Sequence, residues 1–231
     1  MIQTIMYNRK KYKKYACVQL KRRWTIPVLA TIIYLVVSAM INIPEFFNTT
    51  ENLLPVNSAA EFLMDSFFLI ELCIVFIIVY AQLNLHLKMS RGPEKITFGD
   101  FLEGFSKFGR AILCGAWEFL WTFLWFCLFA IPGIVKHYSY CMTKFIALEY
   151  PNISVFKAMR ISIEITRNHK MDIFMTDLSF SGWFILGTLT AGIGFLWIQP
   201  YYLMTMTNVY HALLTEAIET KRLKPEDLTE D

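Results

Sequence analysis

The sequence lacks the short motifs that mark the commonest soluble enzymes. It contains no GxSxG elbow, no phosphate-binding P-loop, no HExxH pair and no glycine-rich dinucleotide fingerprint. These absences argue against a soluble serine hydrolase, a P-loop nucleotidase, a zinc protease or a dinucleotide-dependent oxidoreductase. The sequence therefore favours a non-enzymatic protein, with no catalytic residues and no cofactor.

Cysteine and histidine are also too few and too scattered to indicate a metal site or a disulfide framework. The five cysteines form no CxxC pair and no His–Cys cluster, and four of them lie in apolar stretches. We interpret them as reduced residues that pack in the interior. The four histidines lie on separate segments, at positions 86, 137, 169 and 211. The sequence therefore predicts no bound metal.

What is abundant is apolar surface. Apolar residues make up 55% of the chain and aromatic residues 16%, and the mean hydropathy is positive. A water-soluble protein of this size would need a smaller apolar fraction, so the composition indicates a surface that faces lipid.

The basic N-terminus precedes an apolar run of about 20 residues, long enough to span a membrane. That run has no A-x-A cleavage site and further spans follow it, which indicates an uncleaved first helix.

Positive charge is segregated along the chain. Of the 22 Lys and Arg residues, 20 fall into four clusters and none lies in the segment 44–61. The clusters are residues 9–23, 88–110, 157–170 and 221–224. Lys and Arg near span ends stay on the cytoplasmic side of a membrane. The pattern predicts that both termini are cytoplasmic and that the segment 44–61 lies on the opposite side.

The apolar runs predict an all-α fold, a bundle of six transmembrane helices. A run of about 20 apolar residues crosses a bilayer core as a helix. The predicted spans are 24–43, 62–87, 110–131, 134–150, 173–197 and 201–218. This divides the chain into a basic amphipathic segment (1–23), a six-span membrane domain (24–219) and a polar tail (220–231). Turns are predicted at Pro132-Gly133 and near Pro200, and the tail is expected to be frayed.

Two cytoplasmic segments have the apolar periodicity of amphipathic helices that lie at the membrane surface. They are 96–112 and 155–168, and Ser154 is a candidate N-cap for the second. The segment 7–23 is a third, more basic version. Each precedes a predicted hairpin of two spans, which would make three repeated units. Residues 138–148 and 202–213 share a weak similarity that chance between apolar helices also explains.

Ionisable residues inside the spans are the candidate site. A charge at a span centre costs about 2.5–3.5 kcal/mol, so such residues are expected to be paired or functional. Glu118 and Lys144 fall at matching depths on adjacent spans, and so do Glu71 and Lys136. We predict these two ion pairs. The pairs could tie helices together, or they could line a polar cavity.

Two further span residues, Asp177 and His211, complete the candidate ligand-binding set. The fifth span is rich in small residues, and Gly187-xxx-Ala191 matches the small-xxx-small pattern of close helix packing. That pattern is also compatible with a broken helix beside a ligand site.

From the third span onward, a series of short motifs resembles an uncharacterised bacterial integral-membrane family, a domain of unknown function. The motifs are Ile131-Pro132-Gly133-Ile134, Tyr138 and Tyr140-Cys141-Met142, Pro151, Leu178-Ser179-Phe180-Ser181-Gly182-Trp183, and Pro200-Tyr201 with Tyr210. The family's usual Met-x-Gly step is replaced by the stretch 165–170. The resemblance implies a multispan protein of the bacterial inner membrane and supplies no activity. A more distant similarity, to membrane domains of glycerophosphodiester phosphodiesterases, implies lipid-related surroundings.

These features favour a protein that binds or moves a lipid-like or small amphiphilic molecule. One alternative is an accessory or scaffolding subunit that holds a partner protein at its cytoplasmic face. Another is an intramembrane enzyme that uses Glu118 or Asp177 as acid or base. The expected partners are membrane lipids, because a basic N-terminus beside a span contacts anionic headgroups more simply than nucleic acid.

Overall fold

The computed structural model describes residues 7–50, 58–92 and 95–229, and within these ranges the chain is helical with no strand. The helices are α1 (Arg9–Leu20), α2 (Thr25–Thr50), α3 (Ser58–Arg91), α4 (Phe98–Phe105), α5 (Phe108–Leu128), α6 (Ala130–Tyr140), α7 (Thr143–Glu149), α8 (Val155–Ile165), α9 (Lys170–Leu189) and α10 (Phe195–Glu219), followed by a 3₁₀ turn (Pro225–Leu228). Helix α10 is the central element, since it packs against α1, α2, α3, α8 and α9. The all-α prediction is confirmed.

The hairpin between α5 and α6 turns earlier than the sequence predicted. The reversal occurs at Phe129, whose backbone is extended (φ −157°, ψ 138°), and Pro132-Gly133 lies inside α6. Pro132 is the third residue of α6, where its missing N–H has no intrahelical partner to lose. A Cβ on Gly133 would lie 2.7 Å from Cγ of Phe126, so this glycine serves close packing of the hairpin.

The turn between α9 and α10 also differs from the prediction near Pro200. Helix α9 ends at Leu189, and the next residues form a Schellman-type cap, with Gly192 N–H donating to Gly187 C=O (3.0 Å). Ala191 and Gly192 have positive φ angles of 51° and 88°, which end the helix. Pro200 therefore lies inside α10, where it is buried.

Two more predicted helices are interrupted, and one extends further than expected. The fourth predicted span is divided into α6 and α7 at Cys141-Met142. The amphipathic segment 96–112 is two helices, because the chain breaks at Ser106-Lys107 between α4 and α5. By contrast, α2 continues through Pro44, the predicted end of the first span, to Thr50.

Helices long and apolar enough to cross a membrane are present. Within the described residues they are Leu72–Arg91 of α3 and the whole of α5. Helix α1 with residues 25–39 of α2 passes the same test as a pair bent by 101°. The structure thus contains two or three candidate spans, and six spans remain a prediction.

Exposed apolar side chains cover several helices in the way expected of a lipid-facing surface. Large exposed hydrophobic residues occur on α5 at Phe119, Leu120, Phe123 and Leu124, and on α9 at Trp183, Ile185, Leu186 and Leu189. A soluble monomer rarely exposes contiguous apolar surface of this kind. A membrane protein is therefore indicated.

Basic residues of the N-terminal cluster and of the 88–110 cluster meet at the C-terminal end of α3. Arg23 donates to the carbonyls of Met89 (3.4 Å) and Gly92 (3.1 Å). Arg91 forms an ion pair with Glu149 at the end of α7, with an N–O distance of 2.9 Å. These contacts gather the two clusters at one end of the bundle.

Arg110 at the start of α5 holds the turn that follows α7. Its guanidinium donates to the carbonyls of Ala147 (3.0 Å), Tyr150 (3.2 Å) and Pro151 (2.8 Å), and also to that of Ile153. Helix C-termini leave carbonyls without intrahelical donors and carry partial negative charge, which a cation offsets. Arg110 therefore positions the chain between α7 and α8.

Helix α8 and the tail pack together at the protein surface. Ser154 caps α8 as predicted, accepting the Lys157 N–H at 3.3 Å. The tail, predicted to be frayed, is instead packed, because Leu223 and Leu228 are buried. Arg222 contributes by donating to the carbonyls of Glu164 and Arg167 at the end of α8.

The contact between α3 and α4 depends on Gly104, which gives a first prediction. A Cβ at this position would lie 2.4 Å from Cα of Ala81, so Gly104→Ala is expected to displace α4 and to destabilise the protein by about 1–3 kcal/mol. The matched control on the same helix is Gly99→Ala, whose Cβ would meet only Thr97 Oγ1 at 3.5 Å. Thermal unfolding in detergent compares the two. Equal melting temperatures would show that α4 does not depend on this contact.

Candidate functional site

Glu118 on α5 and Lys144 on α7 form the ion pair predicted from their matching depths. The Glu118 Oε2 to Lys144 Nζ distance is 3.1 Å, and Glu118 is only 7% exposed. Helices α5 and α7 run antiparallel in contact, which brings the two side chains to the same level. The pairing is confirmed; a ligand-binding role for it stays a prediction.

Two threonine hydroxyls near this pair are buried without partners. Among the described residues, Thr122 Oγ1 and Thr143 Oγ1 have no hydrogen bond. Most threonines in this chain satisfy the hydroxyl by donating to a carbonyl one turn earlier, as Thr207 does to Leu203 (2.8 Å). A buried polar atom without a partner calls for water or a ligand. Thr122 follows Glu118 by one helical turn and so lies on the same face of α5, while Thr143 lies on α7, the helix that carries Lys144.

Asp177 on α9 forms a second polar contact, with Tyr202 on α10. The Tyr202 hydroxyl donates to Asp177 Oδ1 at 3.1 Å, and the Tyr138 hydroxyl of α6 lies beside the same carboxylate. Cys141, at the break between α6 and α7, lies within electrostatic range of Asp177, Glu118 and Lys144. We call Glu118, Lys144, Cys141, Asp177 and Tyr202 the polar strip. It joins three of the six predicted site residues across four helices.

The remaining three predicted site residues do not belong to the polar strip. Lys136 lies over the Trp125 ring, with Nζ 4.8 Å from the centroid. The side chain of Glu71, its predicted partner, lies outside the described residues. His211 is on another face of the bundle, where its Nε2 is 2.8 Å from Ser90 Oγ on α3.

An apolar pocket of about 250 Å³ opens between α2, α9 and α10. It is lined by Thr31, Tyr34, Leu35, Phe184, Phe195 and Gln199. The Phe184 ring contacts both the Phe195 ring (centroids 6.1 Å apart) and the Tyr202 ring (5.6 Å). The pocket and the polar strip are therefore adjacent, because they share the Phe184–Tyr202 contact.

A buried cluster around His169 was not anticipated from the sequence. His169 lies between two carboxylates, with Nδ1 3.1 Å from Asp172 Oδ2 and Nε2 3.0 Å from Glu216 Oε1. Arg222 donates to the same Glu216 oxygen at 2.9 Å. The Tyr7 ring stacks on His169, with centroids 5.9 Å apart. The cluster ties the N-terminal segment, α9, α10 and the tail together.

Only a local signal for this cluster was present in the sequence. His169 and Asp172 are three residues apart, a spacing that places them on one helical face. Glu216 is 47 positions further along the chain, so only the fold brings it to His169.

Tyr7, whose ring stacks on His169, is itself buried. Burial raises the pKa of its hydroxyl, which shares a hydrogen bond with Thr176 Oγ1 at 2.8 Å. No group of three or more His, Cys, Asp or Glu side chains in the described ranges could hold a metal ion.

The end of α3 and helix α4 are joined by their own network of ion pairs. Lys88 pairs with Asp100 (2.9 Å) and with Glu103 on α4. Hydrogen bonds from the Thr97 backbone N–H, and then from Lys88, lower the pKa of Asp100 to about 2. On α1, burial lowers the pKa of the Lys13 ammonium, which lies 3.9 Å from the Phe180 ring centroid. Both contacts hold short surface helices against the longer ones.

Comparison with known proteins supports the resemblance inferred from the third span onward. Residues 117–217 match the model of a family described as Protein of unknown function (DUF975). The match contains Glu118, Lys136, Lys144, Asp177 and His211, and it ends short of the tail. No curated protein and no solved structure matches the chain. The similarity to membrane domains of glycerophosphodiester phosphodiesterases is not shown.

The energetic role of the Glu118–Lys144 pair gives a second prediction. Removing one partner leaves the other charge buried, so Glu118→Gln and Lys144→Met should each destabilise the protein more than the double variant does. The expected coupling energy in a double-mutant cycle is about 1–3 kcal/mol, measured by thermal unfolding in detergent. The matched surface cycle is Lys88→Met with Glu103→Gln, for which about 0–1 kcal/mol is expected. Equal coupling in the two cycles would contradict a special role for the buried pair.

Proposed function

We propose that the chain is a six-span protein of the bacterial cytoplasmic membrane, with both termini in the cytoplasm, that binds or moves a lipid-like or small amphiphilic molecule. The topology is supported by the gathering of two basic clusters at the end of α3. Lipid contact is supported by the exposed apolar faces of α5 and α9.

The observation that carries the functional proposal is the contact between Phe184 and Tyr202. On one side of it lies the apolar pocket between α2, α9 and α10, and on the other side Tyr202 donates to Asp177. An apolar cavity that adjoins a few polar groups is the usual form of a small-molecule site. The apolar part of an amphiphile fits the pocket, and its polar end reaches Asp177.

The chemistry of the polar strip favours a ligand that carries hydrogen-bond donors. The Asp177 carboxylate offers acceptor oxygens, and it already receives the Tyr202 and Tyr138 hydroxyls, so a ligand donor would join or replace them. On the helices of the Glu118–Lys144 pair, Thr122 and Thr143 offer hydroxyls that no described residue binds. A polar headgroup that moved from Asp177 toward Lys144 would meet successive partners. The Glu118–Lys144 pair would then serve both helix packing and ligand passage.

A second candidate function, scaffolding, is favoured by the outward face of α4. This short helix at the end of α3 exposes Phe98 and Leu102, and Phe108 beside it is also exposed. An amphipathic helix with an uncovered apolar face binds either a membrane surface or a partner helix. If α4 holds a partner protein, the chain would act as an accessory subunit.

Filling the pocket tests the proposed function. We expect an amphiphile to copurify with the wild-type protein, and Leu35→Trp, which places a large ring in the pocket, should abolish its retention. Val36→Trp, one residue away on the lipid-facing side and 50% exposed, is the matched control and should retain it. Native mass spectrometry of protein purified in mild detergent measures the retained mass directly.

The same spectra separate the two candidate functions. A wild-type protein that carries no amphiphile, or equal retention by both tryptophan variants, would contradict binding in the pocket. A protein subunit retained by the wild type and lost on Leu102→Asp would instead support scaffolding through α4.

A further inference from the structure

A groove of about 600 Å³ lies between α8 and the C-terminal turn, and none of the five residues of the polar strip lines it. Phe156, Lys157, Arg160, Glu164, Leu223 and Asp227 are among its lining residues. The groove is open to solvent on one side and has both charged and apolar walls. Neither the ion pairs of the span interior nor the His169 cluster includes its basic residues.

The two cations of this groove are available to a ligand. Lys157 and Arg160 are three residues apart, and so they project from neighbouring positions on α8. Their side chains form no hydrogen bond or ion pair with any residue in the ranges 7–50, 58–92 and 95–229. By contrast, Arg110, Arg91 and Arg222 are engaged by carbonyls or carboxylates.

The carboxylates of the groove already have partners. Glu164 Oε1 pairs with Arg167 at 3.4 Å, and Asp227 Oδ2 accepts the Lys224 backbone N–H at 3.0 Å. Arg167 thus offsets the charge of Glu164, whereas the Asp227 carboxylate, bonded to a neutral N–H, keeps its negative charge. Lys157 and Arg160 together exceed the carboxylate charge left in the groove by one, and this net positive charge is complementary to a monoanion.

One wall of the groove continues into the lipid-facing surface of α5. The Phe156 ring packs edge-on against Trp117, with centroids 4.6 Å apart. Leu113 and Leu120 lie one turn before and after Trp117 on the same face, and they are 48% and 53% exposed. An apolar track thus leads from the groove onto the surface that faces lipid.

We propose that this groove binds the phosphate headgroup of an anionic phospholipid from the cytoplasmic leaflet. Lys157 and Arg160 contact the phosphate, and an acyl chain lies along Phe156, Trp117 and the exposed leucines of α5. Basic side chains at a membrane surface attract anionic headgroups, and Arg recognises phosphate with paired donors. The inference rests on the proposed function only for placing α8 at the cytoplasmic surface of the membrane.

Lipid titration of the detergent-solubilised full chain tests this site. Native mass spectrometry with added phosphatidylglycerol or phosphatidylcholine, in about 0.15 M salt to screen diffuse charge, measures each affinity. The wild type is expected to bind phosphatidylglycerol more tightly. The double variant Lys157→Gln/Arg160→Gln should weaken that binding about tenfold and leave phosphatidylcholine binding unchanged. Neither side chain forms a hydrogen bond or ion pair with a described residue, so the melting temperature of the double variant should match that of the wild type.

Matched variants and competitors decide the outcome. Lys14→Gln/Lys21→Gln removes two exposed charges from the N-terminal segment, outside the groove. An equal weakening by this control would show that net charge alone attracts the lipid and would overturn the site. Displacement of the lipid by inorganic phosphate or by an acidic peptide at similar concentration would also overturn it. Retention of the amphiphile in the Leu35 pocket is measured separately, so failure of one site leaves the other intact.

Discussion

The backbone carbonyls at helix ends impose the constraint on which this bundle depends. Each helix leaves its last carbonyls without intrahelical donors, and burying them unpaired is costly. In this chain arginine side chains supply the donors. Arg110 donates to carbonyls of the turn after α7, Arg23 to those at the end of α3, and Arg222 to those at the end of α8. The residues that we propose orient the chain in a membrane therefore also join its helices.

Two lysines, Lys136 and Lys144, lie outside the four basic clusters, and this role at helix ends does not account for them. Lys144 lies within the bundle and must be paired there, which Glu118 accomplishes. On the helices of that pair, the Thr122 and Thr143 hydroxyls have no described partner, and Cys141 at the α6–α7 break interacts electrostatically with Glu118 and Asp177. A solid packing interface would not need such polarity, since apolar residues of equal volume stabilise at least as well. The proposed ligand site depends on this polarity.

Much of the local structure could be predicted from particular residues. Ser154 precedes apolar residues at helical spacing and caps α8. The matching depths of Glu118 and Lys144 in the sequence predict the contact that the structure shows. The errors came mainly from proline. Pro132 and Pro200 were interpreted as helix ends, although a proline near a helix start costs no hydrogen bond and one further in can be tolerated among neighbouring helices.

The parts that could not be predicted depend on long-range packing. His169 and Glu216 are far apart in the chain, and no periodicity links them. The pocket beside Phe184 requires three helices to meet, and the turn at Ala191 that brings α10 back carries an unusual left-handed residue other than glycine. Tertiary geometry decides both features, whereas sequence patterns report only on single helices.

Cysteine labelling in intact cells tests the central claim, that the basic helix ends all lie on the cytoplasmic side. In a variant without native cysteines, Glu51→Cys and Lys224→Cys are each exposed to a membrane-impermeant maleimide. The account predicts modification at position 51 in intact cells, and at position 224 only after the membrane is permeabilised. Modification at position 224 but not at position 51 in intact cells would contradict it.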